Sequence, residues 1–563
     1  MGGRRALPLP GAVVAACACV WLASLPLPSS CRVLQVATFD DAQLPIETFV
    51  PTTVMWNFTE SDDQLRGSWQ IDESDPRIDP AAYGGVAPEQ VKLLYRSRSA
   101  LLVTWSTGNS STYVGEARVA NLSLESSEVE VELPNGTLVL HSGEVDQYSY
   151  AYDAASVPGA TNYSSGVLHR VLVRGLSPGT SYTYRVGSAA KGVWGSRGAF
   201  TMPGAGNAYP VSFAVLSDGG QTANSSETYR NLLQSDPHAV VWIGDLSEAD
   251  ARWSNGTADP RLSNATVADG AEDGLDPLTR YGSYQPRWDM WGRLVEPVTA
   301  AVPFVFAPGD HEIERQSDGT VFAAFAHRAP PPAAATGDPR YFSVDIGPVH
   351  WVFPSPYAPY DEGSDQLRWL VEDLDAVDRD DTPWVVVAQH APVYSSYKAH
   401  YQEAECFRQA LEPVFYDYGV DVVFAGHVHG YERSFPVFNY TLDPLGPVHV
   451  TLGTGGNAEQ LDVVFADLPG HCPDPEDRRG MPSQPRYCYV EAYDGQFCAA
   501  AQPFWSAFRE PAFGFGTFDV LNATTATLKW HRNQDQLPAV ADSVYLTRRS
   551  TATGPQIAEM SGR

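Results

Sequence analysis

From Val211 onward the chain repeats one pattern: short apolar runs, each ending within a few residues on an aspartate or a histidine. VSFAVL leads to Asp218, AVVWIGD to Asp245, PFVFAPGD to Asp310, WVVVAQH to His390 and DVVFAGH to His427. Between them stand amphipathic stretches such as ETYRNLLQ, DQLRWLVEDLDAV and ECFRQALEPVFYDY. Continuous apolar runs of this length fit strands buried on both faces, and strands separated by helical spacing predict a layered α/β domain. Ligands collect at the carboxyl ends of such strands, so the five segments can converge on one crevice.

The stretch 88–203 reads differently. VKLLY, ALLVTWST, VEVEL, GTLVL, HRVLVRGL and SYTYRVGSAA are separated by Gly, Pro, Ser and Asn, a spacing that predicts a small β-sandwich. GLSPGTSYTYRVG, with Trp105 upstream, resembles the fibronectin type III pattern, which by itself implies a spacer or docking module. The expected organisation is a leader over 1–30, an amino-terminal extension over 31–87, the sandwich over 88–203, a catalytic domain over 208–535 and a tail over 536–563. With 563 residues, two or three domains are expected.

Arg4 and Arg5 precede the small and apolar run GAVVAACACVWLASLPL, then polar residues, the order of a cleaved secretory signal. The run is short for a bilayer span and is broken by Pro26, and no later segment spans, so no membrane anchor is expected after cleavage. Of seven cysteines, Cys17 and Cys19 leave with the signal, and Cys472, Cys488 and Cys498 fall in one loop-like stretch. In an oxidising compartment, one or two disulfides clamping that loop are expected, with an odd cysteine left over among these, Cys31 and Cys406. Sequons such as Asn135 and Asn439 fit a glycosylated, secreted surface. A formal charge of −30 excludes broad nucleic-acid or anionic-membrane binding, because both need a basic face.

Taken singly, SDGG (217–220) reads equally as a turn, GDLS (244–247) as a helix cap and His390 as a satisfied buried histidine. GHVHGYER (426–433) is more specific, since His427 and His429 can offer imidazoles to two adjacent ions. The ordered set of Asp218, GDLS, GDHE (309–312), VAQH (387–390) and GHVH resembles the purple acid phosphatases, within the calcineurin-like metallophosphoesterases. PEQV (88–91), RWDMWGRLVEP (287–297), HAPVYSSYKAH (390–400), GTGGNAE (453–459) and WSAFREPAFGFG (505–516) extend the resemblance to the large, plant-type form.

That resemblance implies a fibronectin III-like domain followed by a β-sandwich core flanked by helices. It implies two metal ions, Fe with Zn, Mn or Fe. Asp218 and His429 would hold the first, Asp245 would bridge, and His390 and His427 would hold the second, with Glu248 and Asp310 at the two remaining ligand positions. His311, His400 and Glu403 would lie over the substrate phosphate, with His311 as leaving-group acid or phosphate donor and His400 assisting. A metal-bound hydroxide would be the nucleophile, and no Ser or Cys is required.

Three positions depart from the family. Glu248 stands where GDxxY carries a tyrosine ligand, so metal binding can survive while the tyrosinate-to-iron colour should not. Asp310 replaces the asparagine of GNHE, making the ligand set one charge more negative, which should favour metal and disfavour phosphate. Ser217 replaces a glycine. The five histidines favour a working acid phosphatase acting on small phosphate monoesters, secreted or in vacuole or cell wall, as monomer or homodimer. The alternatives are a nucleotide phosphodiesterase or pyrophosphatase of the same fold, and a weakly active or non-catalytic phosphate-binding glycoprotein. The insertion around 250–284, the loop 461–503 and the segment 31–87 are candidates for substrate choice, although solvated loops explain them more simply.

Overall fold

The computed structural model describes residues 35–36, 51–55, 71, 74–79, 87–113, 126–152, 162–250, 253–254, 257–258, 283–316, 318–332, 336–475, 488, 493 and 495–548. The leader, most of the 250–284 insertion and much of the loop 476–494 lie outside these residues. Among the described residues no helix is long and apolar enough to cross a membrane.

Each strand expected in the amino-terminal domain is present. β1 (Glu89–Ser97), β2 (Ala100–Thr107), β3 (Glu128–Glu132), β4 (Leu138–Ser142), β5 (Val167–Arg174), β6 (Ser181–Ser188) and β7 (Gly198–Thr201) form two layers. β1, β2 and β5 make one layer, and β6, flanked by β7 and by β3 and β4, makes the other. Alternate residues of both layers (Leu93, Val103, Trp105, Val129, Val171, Tyr184) fill the space between them, which is the period-two burial a sandwich requires. In the Leu-x-Pro-Gly-Thr turn, Ser177 N donates to the Tyr182 hydroxyl at 2.8 Å, a tyrosine-corner arrangement.

The catalytic domain begins with β8 (Val211–Leu216), α1 (Ala223–Gln234), β9 (Ala239–Ile243), α2 (Pro286–Thr299), β10 (Phe304–Ala307) and the short α3 (Ala323–Arg328). β11 (Phe342–Ile346), β12 (Val349–Phe353), α4 (Asp365–Asp375), β13 (Trp384–Ala388), α5 (Glu405–Asp417) and β14 (Val422–Ala425) follow. The chain closes with β15 (Tyr431–Ser434), β16 (Val448–Leu452), β17 (Ser506–Glu510), β18 (Gly514–Val520), β19 (Thr525–Arg532) and β20 (Asp542–Thr547).

Two mixed sheets face each other. One runs β20–β19–β18–β8–β9–β10 with β8, β9 and β10 parallel; the other runs β17–β15–β16–β14–β13–β12–β11 with β12, β13, β14 and β16 parallel. Phe213, Trp351, Trp384, Phe424 and Phe518 interlock between them, Phe213 lying 5.2 Å from Trp351 and Phe518 lying 5.8 Å from Trp384, centroid to centroid. Buried aromatic rings of this size each contribute about 2–3 kcal/mol through the apolar area removed from water. α1 and α2 cover the outer face of the first sheet, and α4 and α5 that of the second.

Two features lie beyond the sequence expectations. β10 pairs in parallel with β1 through Phe304 and Leu94, so the amino-terminal sheet and the first catalytic sheet are one continuous surface. The sheet also continues past residue 535, because β20 pairs antiparallel with β19 and buries Val544 and Leu546. Two disulfides are present: Cys406–Cys488 ties α5 to the long loop, and Cys472–Cys498 closes the loop on itself.

One buried charge makes a prediction about stability. His350 on β12 donates from Nδ1 to Asp345 at 2.7 Å and from Nε2 to Asp373 of α4 at 2.9 Å. Burial alone would lower its pKa, but these two carboxylates raise it to about 9. The imidazolium therefore adds stability that is complete below its unfolded value near 6.5 and is lost as pH rises through about 9. Chemical denaturation of wild type against His350→Asn should show a gap of about 3 kcal/mol or less at pH 6 that closes by pH 10. A gap constant with pH would contradict the charged pairing.

Candidate metal centre

The parallel strands of both sheets end on the same edge of the molecule, and the loops that follow them carry the polar residues. Asp218 follows β8, Asp245 and Glu248 follow β9, Asp310 and His311 follow β10, His390 follows β13, and His427 and His429 follow β14. Asp218, Asp245, Glu248, His400 and His427 have φ between +47° and +65°, the left-handed region that costs a non-glycine residue roughly 1–3 kcal/mol. Half of the ten candidate residues thus sit on strained backbone. Two neighbouring glycines are required by close approach: a Cβ on Gly309 would lie 2.2 Å from Asp245 Oδ1, and one on Gly426 would lie 2.5 Å from Asp218 Oδ2.

Asp245, Asp310, His390 and His427 come together, each offering one ligand atom within 4.8 Å of the others, and all four are buried. His390 Nε2 lies 2.9 Å from Asp245 Oδ2 and 3.2 Å from Asp310 Oδ1, while His427 Nδ1 lies 3.0 Å from Asp310 Oδ1. Nδ1 of His390 donates to the Ile243 carbonyl at 2.7 Å, which leaves Nε2 to face the carboxylates. Nδ1 of His429 likewise donates to Gln460 O at 2.9 Å, and its Nε2 faces Asp218 Oδ1 at 3.4 Å. A ring nitrogen tied to a backbone carbonyl, with the other turned to a carboxylate cluster, is how proteins orient histidine for metal.

Electrostatics follow from packing anions and imidazoles out of water. Burial would raise Asp310, yet the charges and hydrogen bonds of His427 and His390 hold it well below the usual carboxylate range. Burial would lower His427 and His429, yet Asp310 and Glu403 raise the first to about 10, and Asp218 raises the second to about 10. In the absence of a cation the carboxylates therefore retain protons on the histidines. A divalent ion would displace them, since it needs the neutral ring. The buried donor set, two carboxylates and two imidazoles without a lysine or arginine in the cluster, fits such an ion.

Three further candidates form a rim. His311 Nδ1 donates to Asp250 Oδ1 at 2.6 Å, and its Nε2 lies 3.6 Å from Glu459 and 4.0 Å from Asp245. His400 packs against His427 with the rings tilted by 44° and their centroids 3.9 Å apart, and it donates to Glu403, whose carboxylate also lies 3.5 Å from His427 Nε2. Glu248 stands apart from the four-residue cluster: its Oε2 accepts from Ala458 N at 3.0 Å, its carboxyl lies beside Gly220, and burial raises it to about 8. Ser217 uses the room left at Gly426 and donates to Ile243 O at 2.5 Å, the same carbonyl that holds His390.

Sequence reasoning passed over three supporting groups. Glu312 accepts from the backbone N–H groups of Asp245 (2.8 Å), Leu246 (2.8 Å) and Gly309 (2.7 Å), stapling two ligand-bearing loops together. Burial and Asp245 push it up, to about 8, against three donors that favour the carboxylate. Asp250 orients His311, and the Tyr357 hydroxyl donates to Asp310 at 3.3 Å. Glu312 was within reach, being the last residue of GDHE, whereas Asp250 and Tyr357 are identified only by contacts across the fold.

Profile comparison matches residues 88–202 to the purple acid phosphatase N-terminal domain, 211–431 to the calcineurin-like phosphoesterases and 489–543 to the iron/zinc purple acid phosphatase-like C-terminal segment. The chain is 38% identical to purple acid phosphatase 15 of Arabidopsis thaliana over 511 residues, covering 89% of this chain and 92% of the relative. It is 40% identical to purple acid phosphatase 23 of the same plant over 413 residues, covering 72% of this chain and 87% of the relative. The purple acid phosphatase PPD1 from yellow lupin (Lupinus luteus) seeds shares the fold, with a TM-score of 0.59 at 20% identity over 82% of this chain and 75% of that one.

Proposed function

The chain belongs to the purple acid phosphatases, a family of metal-dependent phosphoric monoester hydrolases, and on that premise we propose that it is an acid phosphatase releasing inorganic phosphate from small phosphate monoesters outside the cytosol. The observation that carries the reading is the convergence of Asp245, Asp310, His390 and His427 at the strand ends, with His311 beside them. Asp218, Asp245, Glu248 and His429 would hold one ion, and Asp245, Asp310, His390 and His427 the other, Fe being paired with Zn, Mn or Fe. When bound, such a pair supplies an acidified water as nucleophile and Lewis-acid stabilisation of the phosphoryl oxygens.

The chain's own residues do the rest. Asp250 holds the His311 proton at Nδ1, so Nε2 is the atom presented toward the substrate, where a protonated ring donates to the departing oxygen. His400 and Glu403 form a second hydrogen-bonded pair against His427, placed to bind the phosphate and keep His427 oriented. Glu248 would exchange its bond from Ala458 N for a metal, and as a carboxylate it gives no tyrosinate colour. The two disulfides support folding in an oxidising compartment, consistent with secretion or with vacuole or cell wall, and a monomer or homodimer suffices because all the site residues come from one chain.

Turnover of p-nitrophenyl phosphate and of bis(p-nitrophenyl) phosphate from pH 4 to 8 tests this reading. Faster release from the monoester, strongest on the acid side, is expected. Preference for the diester would replace the monoesterase reading with the phosphodiesterase one, and no turnover of either would leave a binding protein.

A further inference from the structure

The amino-terminal domain meets the catalytic domain beside the His311–Asp250 pair, through buried tyrosines. Its short strand Ser149–Ala151 pairs antiparallel with Asn162–Ser164, and Tyr148, Tyr150 and Tyr152, in and beside that strand, are each at most 5% exposed. A buried phenol needs a partner for its hydroxyl. These find theirs across the domain boundary: Tyr150 donates to Arg315 O at 3.1 Å, Tyr148 donates to Gln285 Oε1 at 2.8 Å, and Tyr152 accepts from Gln285 N at 3.3 Å. The backbone joins in, since Ala151 N donates to Gln316 Oε1 at 3.0 Å.

The partners belong to two segments that flank the pair. Arg315 and Gln316 continue the loop that carries His311. Gln285 precedes α2, and its neighbour Tyr284 donates from N to Ala249 O at 2.7 Å, next to Asp250. Glu314, on the His311 loop and 5% exposed, joins the two segments. Its carboxyl accepts from Ser283 Oγ, from Gln285 Nε2 at 3.0 Å, and from the Trp288 indole N–H at 3.0 Å to each oxygen.

We propose that Glu314 is a positioning residue for leaving-group protonation: it clasps the His311 loop to the segment 283–288 that the amino-terminal tyrosines hold, which makes the sandwich part of the catalytic apparatus and not a spacer. The inference rests on the phosphatase reading with His311 as the acid. His311 and Asp250 stand on different loops, so their register depends on what joins those loops, and a misplacement of about 1 Å can cost 10²-fold in rate. Glu312 separately staples the metal-ligand ends of the same loops, at Asp245 N and Gly309 N, so disturbing Glu314 should spare the metal.

Glu314→Met, similar in length, removes the acceptor, and Tyr150→Phe removes one hydroxyl. Each is read by kcat on an alkyl phosphate and on p-nitrophenyl phosphate, by metal content, and again in the His311→Asn background. Glu314→Met is expected to lower kcat on the alkyl phosphate by about 10-fold or more, with a smaller loss on p-nitrophenyl phosphate and unchanged metal content. No further loss is expected where His311 is already replaced, because the clasp acts through that ring. Tyr150→Phe should give the same pattern in weaker form, and it carries the test should Glu314→Met fail to fold. No loss in either variant, equal losses on both substrates, loss of metal, or losses that multiply with that of His311→Asn would each overturn the assignment while the wild-type phosphatase stands. A wild-type chain without turnover would instead remove the phosphatase reading, and this assignment with it.

Discussion

Replacing Asp245 by Asn is expected to lower p-nitrophenyl phosphate turnover by about 10³-fold or more and to reduce the bound metal below two ions per chain. Asp245 is the aspartate that touches most of the centre: its Oδ2 lies 2.9 Å from His390 Nε2, its Oδ1 accepts from His311 N at 3.0 Å, and its own N–H is held by Glu312. It sits on left-handed backbone at φ +52° between two sheets' worth of ligands. An amide at this position keeps the shape and removes the charge, so the loss reports the carboxylate itself. Metal analysis of the purified variant beside its kinetics checks both parts, and full metal content with normal turnover would remove Asp245 from the centre.

His311→Asn is expected to cost about 10²–10⁴-fold in kcat while leaving the metal content unchanged. The His311 ring stands back from the cluster, its Nε2 lying 4.0 Å from Asp245 Oδ2, and its Nδ1 is committed to Asp250. If its Nε2 protonates the departing oxygen, the loss must grow with the basicity of the leaving group. An alkyl phosphate should therefore suffer far more than p-nitrophenyl phosphate, whose phenolate leaves without help. Equal losses on both substrates would assign His311 to phosphate binding instead. Asp250→Asn should reproduce the same leaving-group dependence in weaker form, because it disturbs the His311 proton without removing the ring.

Much of the fold and of the site is legible in the order of residues. The runs VSFAVL, AVVWIG and PFVFAPG are apolar throughout because their strands are buried on both faces, and that pattern alone places Asp218, Asp245 and Asp310 just beyond strand ends. The amino-terminal strands are readable from their turns and from alternation such as VEVEL in β3. What is not legible depends on contacts remote in sequence. The joining of the two sheets rests on one register, Phe304 against Leu94, that no local pattern encodes. The strand β20 has only Val544 and Leu546 as buried residues, too weak an alternation to stand out from a polar tail. Asp250 and Tyr357 matter only because the fold brings them to His311 and Asp310, and the bond from Ala458 N to Glu248 is likewise invisible in GDLSE.

Glu248 is where this chain parts most clearly from the residue pattern of its family. In the structure its carboxyl is buried and raised to about 8, a group that a metal ion would ionise in the same act by which it is bound. Ser217 and Asp310 alter the same neighbourhood, one by sharing the Ile243 carbonyl with His390 and the other by adding a charge between His390 and His427.

The most direct measurement is elemental analysis of the purified chain, with p-nitrophenyl phosphate turnover followed through chelation and metal return. The expected result is two metal ions per chain, no purple band, turnover that disappears with the metal and reappears when it is restored, and neither metal pair nor turnover in Asp245→Ala, His427→Ala. A chain that binds no metal, or that keeps its turnover after the metal is removed, would contradict a dinuclear phosphatase built on these residues.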